Sequence, residues 1–297
     1  GVTTCALPIC RPKLIVSSDP STFDIDEPGL VEVLGFKAGA STVSPGPLYH
    51  NGPFIWVFSQ LLMDGHAVIL NRFEPSVTLD AVARHRAATL YLVPTMMSRI
   101  WKLPPREREG FDVSSLEKVW HLASPCPVWL KHEWIAWLGP ARIWELYAGT
   151  EAQAITMLDG TEWLAHEGSV GRVVAGEMRI VDESGDEAPV GQVGEVYMRP
   201  DPGRETYRYL GATARRSEDG WESLGDMGRF DADGYLYLAD RRTDMILSGG
   251  ANVYPAEIEA ALDAHPAVQS SAVIGLPDDD LGQRVHAIVQ AVGVDET

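Results

Sequence analysis

No apolar run in this chain approaches the about 20 residues that a membrane-spanning helix needs. One of the longest, "FIWVF" at 54–58, is far too short. Basic residues are scarce as well: 24 Lys and Arg against 42 Asp and Glu leave a formal charge of −18. With no basic excess to displace counterions, a nucleic-acid backbone is a poor partner, although a nucleotide needs only a few local donors. Cysteine is rare too. Cys5, Cys10 and Cys126 show no C-x-x-C spacing, and an odd number cannot pair completely. That excludes a zinc ribbon or a disulfide scaffold and points to a reducing cytosol. The common catalytic signatures are absent: there is no G-x-x-x-x-G-K-[ST], G-x-G-x-x-G, G-x-S-x-G or H-E-x-x-H. The first residues, "GVTTCALPIC", have no charged leader and no sustained apolar core, so they do not read as a signal peptide.

What is present suits an ordinary globular protein. A length of 297 residues allows one large domain or two, and 45% hydrophobic residues suffice for a sizeable core. Residues 1–10 resemble the peptide translated from a common sequencing-adapter DNA, so they are expected to be foreign to the gene; a genuine N-terminal tail is the alternative. The other end, "AVGVDET", stops just after a strand-like run, which reads as truncation.

Between the ends, β-rich runs at 41–43, 66–70, 89–93, 118–123 and 142–147 alternate with helix-length segments at 54–63, 76–86 and 128–138. This spacing predicts an α/β unit, a largely parallel sheet covered by helices. From about residue 168 the pattern becomes period two. "GEMRIVDES" and "GEVYMRP" alternate, and the turn formers "DESGDE", "EDGW" and "DADGY" separate them, which predicts antiparallel hairpins. After Arg241, "YPAEIEAALDAHP" predicts a helix with Ile258, Ala261 and Leu262 on one face, stopped by Pro266. Strand-like "AVIGL" (272–276) and "RVHAIVQAV" (284–292) follow, so a small α+β domain is expected from about 243. The organisation expected is a leader at 1–10, the C-terminal part of a large domain at 11–242, and an incomplete small domain at 243–297.

The stretch "LYAGTEAQAIT" (146–156) joins a strand end to a small-residue turn. Such a turn exposes backbone N–H groups, and Thr150 adds a hydroxyl donor for a phosphate oxygen. Glu151 offers the hard oxygen that Mg²⁺ prefers beside substrate phosphates, and Tyr147 could offer its ring face to a base. A plain strand-to-loop turn capped by a Thr-Glu pair is the alternative. Further on, Asp226 follows a glycine just before a hairpin, where a carboxylate could accept both hydroxyls of a ribose. Arg241 follows the strand "YLYLAD" with a fork of donors. The two could equally be a surface ion pair of little energetic consequence, and Ser248-Gly249-Gly250 could be only a flexible turn.

Four stretches, "YAGTE" (147–151), "GEVYMRP" (194–200), "LGD" (224–226) and "DRRTDMILSGGANVYPAEIE" (240–259), stand in the order characteristic of one group of enzymes. Together they closely resemble the adenylate-forming superfamily: acyl-CoA synthetases, luciferases and peptide-synthetase adenylation domains. The resemblance spans nearly all of 11–297. It implies that Thr150 touches the α-phosphate, Glu151 binds magnesium, and Tyr147 stacks on adenine. Asp226 and Arg241 would hold the ribose, with Lys13 near the phosphates at the tail of a phosphate loop. "LASPCP" (122–127), with Ala123 and Ser124, would flank adenine. His50 would stand between the acyl pocket and the nucleotide, a packed core histidine being the alternative. Thr243 would be the hinge of a mobile small domain, and Gly249 and Gly250 would line the thiol tunnel. The cofactors and substrates implied are ATP, Mg²⁺, CoA and a small-molecule carboxylic acid, with acyl adenylate and then thioester as products. "LYHNGPFIWVF" and "SPCPVWLKHEWIAWLGP" resemble synthetases of bile acids and other bulky or fatty carboxylates. Trp56 and Phe58 are candidates for a broad apolar pocket, or else core residues.

This sequence departs from the family at several points. Ala148 replaces the usual glycine after the tyrosine, at little cost if its φ is negative. Leu224 replaces threonine or serine, Leu122 stands where glycine is frequent, and Thr243 replaces an aspartate or lysine. The front of the phosphate loop and the C-terminal lysine that orients the carboxylate are not found. The alternatives are therefore a domain loading a carrier protein, a luciferase-type oxidase, or an inactive nucleotide-binding fragment.

Overall fold

The computed structural model describes residues 33–204, 206–210, 216–241, 244–249, 251–265, 267–278 and 280–291, together with the short strands 2–4 and 13–16. In chain order these form β1 (Val2–Thr4), β2 (Lys13–Val16), β3 (Ser41–Ser44), α1 (Asn51–Leu62), β4 (His66–Ile69), α2 (Pro75–His85), β5 (Thr89–Leu92), α3 (Pro94–Trp101), α4 (Pro105–Arg108) and β6 (Lys118–His121). There follow α5 (Val128–Leu138), β7 (Ile143–Ala148), β8 (Ile155–Asp159), α6 (Gly160–Ala165), β9 (Arg172–Ala175), β10 (Glu177–Val181), β11 (Gly194–Arg199), β12 (Arg208–Leu210), β13 (Glu222–Phe230) and β14 (Leu236–Arg241). The last elements are β15 (Ile246–Ser248), β16 (Ala251–Val253), α7 (Pro255–Asp263), β17 (Val268–Asp278) and β18 (Gly282–Ala291).

The main sheet has seven strands in the order β4-β3-β5-β6-β7-β8-β9. The first five run parallel, and β8 and β9 join antiparallel. All four residues of β5 are buried, as a strand covered on both faces requires. Local signals set the helices. In α2, Pro75 occupies the first turn, the Glu74 carboxylate accepts the Val77 N–H at 2.8 Å, and Arg86 ends the helix at φ +45°. Leu130, Trp134, Ile135 and Leu138 of α5 bury with α2, α3 and one sheet face around Val43, Leu90 and Val119. On the other face Trp56 of α1 packs with Phe36, Tyr91 and Trp120.

The predicted parallel sheet is present, but the antiparallel part begins earlier than the expected residue 168. The residues between β7 and β8 make a tight turn, too short for the crossover that a parallel partner demands, so β8 must return antiparallel. Helix α1 starts at Asn51 rather than at 54, because Pro53 is tolerated in a first turn where no intrahelical bond is lost.

A four-stranded antiparallel sheet, β10-β11-β13-β14, follows the main sheet, and a second, β16-β15-β18-β17, packs with α7. The two predicted strands after 272 are one long hairpin, paired from Val268 opposite Ala291 to Asp278 opposite Gly282. On α7, Ile258 and Leu262 are half-buried, whereas Ala261 is exposed and falls off the predicted face. The helix ends at Asp263, and Pro266 lies outside the described residues. Among the described residues no helix is long and apolar enough to cross a membrane.

Candidate nucleotide site

The carboxyl ends of the parallel strands share one edge of the sheet, the place where open α/β sheets hold ligands. His50 lies beyond β3 at the N-terminus of α1, the turn 122–127 follows β6, and Tyr147 is next to last in β7. His121 pairs in register with Glu145, so the turn carrying Ala123 and Ser124 departs beside Leu146 and Tyr147. His50 is exposed, its ring tilted against that of Tyr49 at 4.6 Å, so the core-histidine alternative is wrong. Trp56 is a core residue, 3% exposed, and Phe58 is partly exposed and stacked on Phe54 at 5.4 Å; the apolar-pocket role fails for Trp56.

Tyr147, Thr150 and Glu151 do sit on one bend, closed by an Ala152 N–H to Gly149 carbonyl bond of 3.1 Å. Ala148, the last residue of β7, has no left-handed φ, so replacing glycine there brings no backbone strain. The glycine this turn needs is Gly149. A Cβ built on it would meet Leu224 Cδ1 at 2.3 Å and Glu151 Oε2 at 3.1 Å. Leu224 thus lies against the Thr-Glu bend.

Asp226 is buried and accepts the Tyr147 hydroxyl at 2.7 Å, which joins the end of β7 to the middle of β13. Opposite it in the β13–β14 ladder stands Arg241. The register puts the two residues of the proposed ribose clamp directly across from each other, and burial of Asp226 removes the surface-ion-pair alternative for it. The Arg241 side chain, the Lys13 side chain, Thr243 and Gly250 lie outside the described residues. Gly249 lies in the turn that follows β15 of the separate β16-β15-β18-β17 sheet, at φ +57°, with its N–H bonded to the Leu281 carbonyl at 2.9 Å.

Magnesium beside a nucleotide uses one or two carboxylates, phosphate oxygens and several waters, and needs no protein cage. Among the described residues no cluster of three or more His, Cys, Asp or Glu forms such a cage. A single half-buried carboxylate, Glu151, next to the Thr150 hydroxyl fits an ion of this kind.

Two features escaped the sequence reading. In the turn 122–127 the strained residue is Ala123, at φ +80°, and not Leu122. Holding a Cβ there costs of order 1 kcal/mol. Ala123→Gly is therefore expected to leave thermal stability unchanged or slightly raised, although glycine adds about 0.5–1 kcal/mol of unfolded-chain entropy. Ala123→Val should lower it by about 1–3 kcal/mol, because a β-branched residue resists positive φ. Denaturant titration of both variants checks the pair; equal losses would mean that φ at this position does not matter.

Beneath the same turn lies a buried ion pair. Lys131 Nζ of α5 stands 2.5 Å from Glu145 Oε2 of β7, with side chains 1% and 7% exposed. The His121 ring is fully buried 3.8 Å from the same oxygen, and neither of its nitrogens has a hydrogen-bond partner among the described residues. Burial and the Lys131 charge hold His121 well below the usual imidazole range, so it is neutral. Burial pushes Glu145 upward, opposed by Lys131.

Comparison with known proteins identifies the family. The AMP-binding enzyme profile matches residues 22–203, and the AMP-binding enzyme C-terminal domain profile matches 257–296. A feruloyl-CoA synthase of Amycolatopsis sp is 35% identical over 247 residues, covering 82% of this chain and 50% of that protein. An amide bond synthetase of Marinactinospora thermotolerans superposes with a TM-score of 0.77 at 31% identity, over 91% of this chain and 55% of its own. The o-succinylbenzoate CoA synthetase of Bacillus subtilis, solved with an acyl-adenylate intermediate, gives a TM-score of 0.81 at 25% identity, over 99% and 60%. The chain spans about half the length of the curated relatives it matches. With a profile covering more than half of its residues and an α/β architecture shared with these enzymes, the chain belongs to the AMP-binding enzyme family.

Proposed function

We propose that this chain is part of an ATP-dependent acid–thiol ligase. In the first half-reaction a substrate carboxylate attacks the α-phosphorus of ATP, giving an acyl adenylate and pyrophosphate. In the second, the thiol of CoA attacks the adenylate carbonyl, giving the thioester and AMP. The observation that carries this reading is the hydrogen bond from Tyr147 to Asp226, with Arg241 across the ladder. It gathers three separate motifs into one place that suits an adenosine: a ring face for the base and a buried carboxylate for the ribose.

The residues would divide the work as follows. Tyr147 and the Ala123-Ser124 turn bracket the base, and Asp226 with Arg241 fixes the ribose. Thr150 donates to the α-phosphate, Lys13 approaches the phosphates, and His50 stands on the acyl side. Glu151 would hold magnesium, which when bound neutralises charge building on the phosphate oxygens. We infer further that 243–297 is a separate unit that turns about Thr243 to bring the Gly249-Gly250 loop to the thiol. The three-cysteine composition suits a reducing cytosol. Support comes from relatives named for CoA ligation, feruloyl-CoA synthase and indoleacetate–CoA ligase among them, and from the Bacillus subtilis synthetase solved with ATP and magnesium. The structural neighbour named an amide bond synthetase favours a second reading, in which the same adenylate is passed to an amine.

The test is pyrophosphate release. ATP should yield pyrophosphate only when a carboxylic acid is present, and hydroxylamine, an amine and CoA offered as acceptors separate the readings. Glu151→Gln should lower turnover by at least about tenfold and raise the magnesium needed for half-maximal rate. Unchanged magnesium dependence would remove Glu151 from the metal site.

A further inference from the structure

Strand β13 does more than carry Asp226. Its alternate residues Glu222, Leu224 and Asp226 each meet the end of β7 or the segment that follows it: Asp226 accepts from Tyr147 within β7, Leu224 lies against Gly149, and Glu222 Oε2 accepts the Gln153 amide at 3.2 Å. Glu222 is 3% exposed, and a carboxylate so buried is costly unless its oxygens are filled. Here they are. Besides Gln153, the Tyr207 hydroxyl donates to Oε2, and the Arg216 Nε donates to Oε1 at 2.6 Å, with a second guanidinium nitrogen also 2.6 Å from Oε1. Thr206, next to Tyr207, donates its hydroxyl to the backbone carbonyl of Glu151 at 2.7 Å. One donor, Gln153, thus stands just after the Thr150-Glu151 bend, another, Tyr207, adjoins the residue that bonds the Glu151 carbonyl, and their common acceptor lies four residues before Asp226 on the same strand. Because an ionised carboxylate only accepts, Glu222 also fixes the Gln153 amide, whose carbonyl oxygen is left buried with no partner among the described residues.

We propose that Glu222 is a positioning residue: its buried carboxylate locks the bend bearing Glu151 to the strand bearing Asp226, and so sets the spacing between the metal and ribose ligands. The functional half of this inference rests on the nucleotide reading above; the structural half does not. A carboxylate with three different donors in a water-poor site transmits a displacement of one segment to the other, because moving either breaks a charge-assisted bond. Tyr207 and Gln153 act through it, and none of the three needs to touch a nucleotide.

The experiment compares the full chain with Glu222→Gln and Gln153→Met, using Ile100→Val as a control for stability alone; Ile100 is buried in the distant core of α3. Two readouts are taken: amide hydrogen exchange of 149–154, and calorimetric titration with ATP at varied magnesium. Glu222→Gln is expected to speed exchange in 149–154 by about tenfold relative to the control. It should also weaken magnesium-dependent ATP binding by about tenfold and raise the magnesium concentration at half-saturation. Gln153→Met should move both in the same direction by less, and it carries the test if Glu222→Gln does not fold. Exchange in 149–154 no faster than in Ile100→Val would overturn the proposal. So would faster exchange with unaltered nucleotide and magnesium affinity, since the lock would then be purely structural. If the parent chain binds no ATP, the nucleotide reading of this chain fails, while the exchange arm still decides whether Glu222 holds the bend.

Discussion

Asp226→Ala is expected to lower ATP and AMP affinity by about a hundredfold. A carboxylate accepting both ribose hydroxyls makes two charge-assisted bonds, each contributing about 1.5–3 kcal/mol, part of which is returned when water fills the gap. The loss should be the same with and without magnesium, because the contact is to the sugar and not to the phosphates. Tyr147→Phe is the informative partner. It keeps the ring face for the base and removes only the hydroxyl that Asp226 accepts at 2.7 Å. Its cost should be about 1 kcal/mol, roughly fivefold in affinity. Calorimetric titration with AMP measures both. If Asp226→Ala binds as the parent does, Asp226 serves only to anchor Tyr147, and the ribose assignment is lost.

The parallel sheet is legible in the sequence because its strands read as short β-rich runs, the central ones being buried on both faces. "TLYL" becomes β5 with every residue buried while Val93 caps the next helix, and Val128–Leu138 is a helix over the very residues its pattern marks. The turn-rich second half is legible for another reason: positive φ. Gly234 in "DADGY" and Gly185 in "DESGDE" both adopt it, so those glycines mark real turns. Where the reading stopped short, the deciding fact was a distance along the chain. Nothing in the composition of 155–175 separates a parallel from an antiparallel strand; the brevity of the 149–154 connection does.

The candidate site was legible in its parts but not in its assembly. Glycine spacing and residue type pick out Tyr147, Thr150, Glu151 and Asp226, yet the bond between Tyr147 and Asp226 spans 79 positions that no local pattern connects. Glu222 is the clearest omission. It stands in "WESLGD" two and four residues before Leu224 and Asp226, the spacing of one strand face, although Gly225 at φ +87° breaks the regular pleat between them. A carboxylate so close to a residue already assigned to a ligand was a usable signal. Lys131 gave none. In the sequence it is one of two charges, with Glu133, on a mostly apolar helix, and only the packing of α5 against β7 makes it a buried cation.

That burial sets up the second large effect. Lys131→Met keeps the length of the side chain and removes the cation, leaving Glu145 buried beneath the turn that carries Ala123 and Ser124. Removing one partner of a buried pair strands the other, at about 3–5 kcal/mol. The loss should depend on pH, with a definite sign. Burial already holds Glu145 above the ordinary carboxylate range and Lys131 pulls it down, so the variant raises it further. An acid whose folded-state value lies above its unfolded one binds more protons when folded. Its contribution is complete below the unfolded value and is lost as pH rises through the folded one. The variant should therefore lie nearer the parent at pH 5 and fall progressively behind it toward pH 8. Adding Glu145→Gln to Lys131→Met removes the stranded charge, and should recover most of the stability at pH 8 and flatten the profile. Urea titrations of the parent, the single and the double variant at pH 5, 6.5 and 8 measure this. A loss equal at all three values, or a double variant no better than the single at pH 8, would mean that Lys131 supports this wall of the site by packing alone.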